Sequence, residues 1–94
     1  MKIKWTRAVD GQNHKEHEAK IKTSDGIAVA RVTLFKNLGQ YNVDAVVYER
    51  MSGLCMKTKY HKKKSYGSYT NFHTAMKHFR KAQCETQRKL KELE

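Results

Sequence analysis

The residues in this chain best suited to ligating a metal or attacking a substrate are five histidines and two cysteines. Their spacing argues against both chemistries. Zinc needs three or four convergent ligands, and the sequence holds no CxxC or HExxH pattern. His14 and His17 form one close pair in a polar stretch, which reads as surface histidines. His73 and His78 are five apart, so on a helix they point about 140° away from each other and cannot share one ion. Cys55 near His61 is a weaker pairing still. Cys84 has Arg80 and Lys81 nearby to favour a thiolate, but no orienting His or Asn, so it reads as a half-buried packing thiol. The nine acidic residues are scattered, whereas acid–base catalysis needs titratable groups held together. There is no glycine-rich phosphate loop. The expectation is a binding protein without a cofactor, metal or catalytic residue.

A different chemistry is concentrated between residues 57 and 69. Lys57, Lys59, Lys62, Lys63 and Lys64 are interleaved with Tyr60 and His61 and followed by Tyr66 and Tyr69. Lysines neutralise phosphates and release counterions, and exposed tyrosine rings are flat surfaces on which bases stack. No acidic residue occurs between Arg50 and Lys81, so Lys77, Arg80 and Lys81 extend the same positive block. Tyr48 joins the candidate stacking residues by its outward strand parity, and Tyr66 by an expected loop position. Lysines on a solvent face also blunt sheet edges, but that accounts for two or three of them. The whole chain carries a formal charge of +11, from 20 Lys and Arg against 9 Asp and Glu. The expected partner is therefore a polyanion, with single-stranded DNA or RNA favoured. The alternative is an acidic protein that itself handles nucleic acid, docked by a small phage- or mobile-element-type accessory or inhibitor protein.

With 94 residues, the elements positioning these groups should form a single domain over 1–94. Two cysteines suggest reduced thiols in a cytoplasm, and no apolar run approaches the roughly 20 residues that span a bilayer. Period-2 alternation predicts strands over 2–9, 18–23, 27–36, 41–51 and 54–61, with a polar loop over 10–15. Ser24-Asp25-Gly26, Asn37 to Gln40 and Ser52-Gly53 mark the hairpin turns. From Phe72 the period changes. Phe72, Ala75, Met76, Phe79, Ala82, Thr86, Leu90 and Leu93 form one apolar stripe, predicting a helix over about 71–92 capped by Thr70 or Asn71. Trp5, Phe72 and Phe79 read as core. The architecture predicted is α+β: an antiparallel meander of four to five strands over about 2–63, with one long C-terminal helix packed on one face. Because the last helical turns offer only Leu90 and Leu93, their tail is expected to project and to pair with a second copy as a homodimer.

Overall fold

β-branched and aromatic residues in alternation set out five strands, and a 3.6-residue stripe sets out one helix. The computed structural model describes residues 3–51 and 57–94. The elements are β1 (Thr6–Asp10), β2 (His14–Lys22), β3 (Gly26–Asn37), β4 (Gln40–Met51), β5 (Thr58–Tyr69) and α1 (Phe72–Glu92). The strands form one sheet in the order β1-β2-β3-β4-β5, each antiparallel to its neighbours, with α1 packed on it. The α+β meander and its single helix are thus as the patterning predicts. No helix among the described residues is long and apolar enough to cross a membrane.

Three boundaries differ from the sequence reading. β1 begins at Thr6, because the preceding Ile3 and Trp5 pack against the core without joining the ladder. β2 begins at His14, inside the stretch read as a loop, since it is held on both sides: Lys15 pairs with Asp10 and His14 with Phe35. β5 continues to Tyr69, so the lysine run is strand from Lys59 onward. The Ser52-Gly53 turn, Leu54, Cys55 and Met56 lie outside the described residues.

Turn chemistry fixes the register. Leu38 and Gly39 both take positive φ, 52° and 76°, the geometry of a two-residue hairpin whose twist matches its strands. At the other end of β3, a Cβ on Gly26 would lie 2.0 Å from the Arg50 carbonyl oxygen, so this pair of strands meets at glycine.

Even-numbered β3 residues and odd-numbered β4 residues face α1. Val32, Leu34, Tyr41, Val43 and Ala45 enclose Ala75, Phe79 and Ala82, while Ala19, Ile21, Ala28, Ala30 and Val47 enclose Leu90. The alanines let the helix approach closely, and Leu90 is fully buried. The helix tail therefore lies on the sheet and does not project, which removes the structural reason for expecting a dimer there. Asn71 caps the helix: its side-chain oxygen accepts from the backbone N–H of His73 at 2.8 Å and of Thr74 at 3.2 Å. Thr86, buried mid-helix, satisfies its hydroxyl by donating to the Ala82 carbonyl at 2.8 Å.

Candidate nucleic-acid interface

β5 is an edge strand, so its outer backbone groups have no neighbour in the sheet, and its side chains alternate between two faces. Two irregularities decide which side chain goes where. Val47 pairs with Lys62 but Tyr48 pairs with Tyr60, leaving His61 as an extra residue in the strand. A second shift, between Asn42 and Asp44, surrounds Gly67, which takes φ of 102°. The first bulge places Thr58, Tyr60 and Lys63 on the open face of the sheet, and His61, Lys62, Lys64 and Tyr66 on the helix side.

On the open face, Tyr48 and Tyr60 stand side by side with ring centroids 5.9 Å apart and planes tilted by 49°. Tyr60 is 61% exposed. The Lys63 ammonium lies 5.6 Å from its ring centroid, and the Arg50 guanidinium 5.8 Å from that of Tyr48. Arg31 completes the group, bonding Glu18 through Nε and Nη2 at 3.1 and 3.0 Å. Partial burial opposes its charge, but the Glu18 hydrogen bonds, with Tyr48 and Glu16, together outweigh that and hold its pKa above the ordinary value. Tyr48 is only 8% exposed. The outward parity expected of it is right, but Tyr60, Arg31 and Arg50 crowd it, so it serves as a floor and not as a free surface.

On the helix side, β5 runs antiparallel to α1, and Lys62 and Lys64 face Lys81, Glu85 and Lys89. Three ammonium groups, of Lys62, Lys64 and Lys81, act on one carboxylate, while Lys89 is itself paired with Glu92 at 3.3 Å. The Lys64 Nζ to Glu85 Oε1 distance is 3.9 Å. Burial lowers the Lys62 pKa; Glu85 pulls it back up, and repulsion from Lys64 and Lys89 adds to the lowering. Glu85 is held below the usual carboxylate range, its partial burial being outweighed by Tyr66, Lys64, Lys62 and Lys81. Tyr66 is a correction to the sequence reading. It sits in a strand, is 8% exposed and packs into the core, because Gly67 and not Tyr66 is the residue at the irregularity. Its hydroxyl and Glu85 Oε2 are buried without meeting hydrogen-bond geometry, yet they perturb each other: the phenol is pushed up to about 12, by burial first and then by Glu85.

The remaining candidates fall elsewhere. His61 Nε2 lies 2.9 Å from Glu49 Oε1, and the Thr23 hydroxyl donates to Glu49 Oε2 at 2.8 Å. This engages His61 within the protein. Lys59 pairs across from Glu49, and Lys57 stands exposed just before β5. Lys77 is exposed one turn before Lys81 on the same helical ridge. Arg80 is on the opposite flank of α1, next to Trp5 and Arg7, and does not meet the β5 lysines. Cys84 is exposed and so is not the packing thiol expected. His78 stacks on Tyr69 at 4.3 Å, and no three His, Cys, Asp or Glu side chains among the described residues are placed to hold a metal.

Arg31, Arg50 and Lys89 were not singled out from the sequence. Arg31 shares β3 parity with Val29 and Thr33, and Arg50 shares β4 parity with Tyr48, so alternation alone could have placed both on the open face. Comparison with protein-family models, with curated proteins and with solved structures returned no match.

Proposed function

We propose that this protein binds single-stranded nucleic acid along the β5 edge, with phosphates on its lysines and a base on the open sheet face. The observation that carries this reading is Tyr60. A ring 61% exposed on the edge strand, with the Lys63 ammonium over it and Arg50 over the neighbouring Tyr48, offers a base a flat surface with cations at hand for its phosphates. Stacking on such a ring contributes about 1–3 kcal/mol per base and tolerates any base, which fits a binder with little sequence preference. Lys62 and Lys64 on one side of the strand and Lys63 on the other straddle the edge. A backbone following β5 can thus meet ammonium groups from both faces.

A duplex fits less well, because its bases are stacked internally and offer Tyr60 no partner. Gel shifts with a single-stranded DNA, its duplex and the equivalent RNA, each at two salt concentrations, test the proposal. The expected result is a single-strand shift that weakens steeply with salt. Equal affinity for duplex, or no salt-sensitive shift, contradicts it. Retention of an acidic protein from nuclease-treated lysate together with no oligonucleotide shift would favour the protein-partner alternative instead.

A further inference from the structure

Across α1 from β5, a recess of about 440 Å³ opens between β1, β2 and the helix. Its cationic wall is Arg7, Lys15 and Arg80, and its apolar floor includes Trp5, Met76 and Phe79. One carboxylate, Asp10, gathers the sheet side of the wall: Lys15 Nζ is 2.8 Å away, Arg7 Nη1 3.5 Å and His17 Nε2 3.9 Å. Three permanent cations against one anion leave two positive charges, before any proton on His17. The Trp5 indole is fixed in place by donating from Nε1 to Gln87 Oε1 at 2.7 Å, and the His17 ring stands edge-on to Phe79, 4.9 Å between centroids.

Two features mark this as an unfinished site and not merely as a solvated surface. Among the described residues His17 Nε2 is buried with no hydrogen-bond partner, an arrangement proteins seldom leave uncompensated. Asp10 is also shared among more cations than it can neutralise. An anion that draws Lys15 and Arg7 toward the recess frees Asp10 to close on His17, so the exchange of partners is cheap. The recess is within the roughly 300–1,000 Å³ range of small-molecule sites.

We propose that this recess binds a phosphate monoester, its dianionic phosphate held by Arg7, Lys15 and Arg80 and its ring-bearing part lying against Trp5. The charge selects the class: a monoester near neutral pH carries close to the two charges in excess here, whereas a backbone diester carries one. Two sources supply the same chemistry, a free nucleoside monophosphate and the 5′-phosphate at the end of a nucleic-acid strand. This site does not depend on the β5 interface.

Trp5 is the only tryptophan, so its emission reports on the recess directly. Inorganic phosphate and a nucleoside 5′-monophosphate are titrated at ionic strength held constant with chloride. The expected result is a saturable change, tighter for the nucleoside monophosphate, and weakened about tenfold or more in Arg80→Gln and in Arg7→Gln. Both arginines are exposed, so these variants keep the fold. A single-stranded oligonucleotide with and without a 5′-phosphate separates the sources: a phosphate-dependent response stronger than that of the nucleoside monophosphate assigns the strand end, and a weaker one the small molecule. No saturable change with phosphate or the monophosphate, or an unaltered response in both arginine variants, overturns the proposal. Tyr60→Ala should leave the small-phosphate response intact, so failure here and failure at β5 are distinguishable.

Discussion

Individual side chains at the edge of the sheet divide into those free to meet a ligand and those the protein already uses. Tyr60 belongs to the first kind: among the described residues its one aromatic contact is the cross-strand Tyr48, the Lys63 ammonium lies over the same ring, and most of its surface faces water. Tyr60→Ala should therefore cost about 1 kcal/mol or less in stability. The same change should weaken single-strand binding by about 1–3 kcal/mol, read by anisotropy against thermal unfolding of the same samples. His61 belongs to the second kind, since Glu49 holds it. The Thr23 hydroxyl first, and then His61, keeps the Glu49 carboxyl below its ordinary value of 4.5. A depressed carboxylate pKa stabilises the fold above the unfolded value, and that contribution disappears as pH falls through the folded one. The melting temperature of the wild type should consequently exceed that of Glu49→Gln near neutrality, with the gap closing below about pH 4.5. A gap that stays constant on acidification would show that the charge of Glu49 contributes nothing.

At the scale of elements, β5 explains why the interface is only half legible in the sequence. Strict alternation from Tyr60 would put Lys62 and Lys64 beside that ring and Lys63 with His61. The extra residue at His61 reverses this, giving Tyr60 the company of Lys63 and turning Lys62 and Lys64 toward α1. No local signal announces a bulge at a Tyr-His-Lys step, because it arises from the pairing of β4 with β5 and not from β5 alone. Strand and helix identity was legible, since burial on one face imposes a periodicity on the composition itself; the tail of α1 was not, because Leu90 finds its pocket among small residues, Ala19, Ala28 and Ala30, from distant strands. If a strand of nucleic acid straddles the edge, Lys63→Gln and Lys62→Gln should each reduce the slope of log affinity against log salt by about 0.7, the single-strand value per phosphate. A loss confined to one of them would confine the ligand to one face.

For the molecule as a whole, a formal charge of +11 does not spread into a uniform positive coat. The helix separates Arg7, Lys15 and Arg80 from the Lys62, Lys64, Lys81 and Lys89 group, and the sheet separates both from Arg50 and Lys63 on the open face. Total charge predicts attraction to polyanions without saying where they settle, and it is the exposed ring beside one of these groups that selects the β5 edge. Mapping amide chemical-shift changes on adding a short single-stranded oligonucleotide tests that selection most directly. The largest changes should fall on Thr58 to Lys64 of β5 and on Tyr48 to Arg50 of β4, with His73 and Cys84 on the exposed side of α1 left unmoved. Changes centred on the outer face of the helix, or none at saturating oligonucleotide, would contradict binding at this edge.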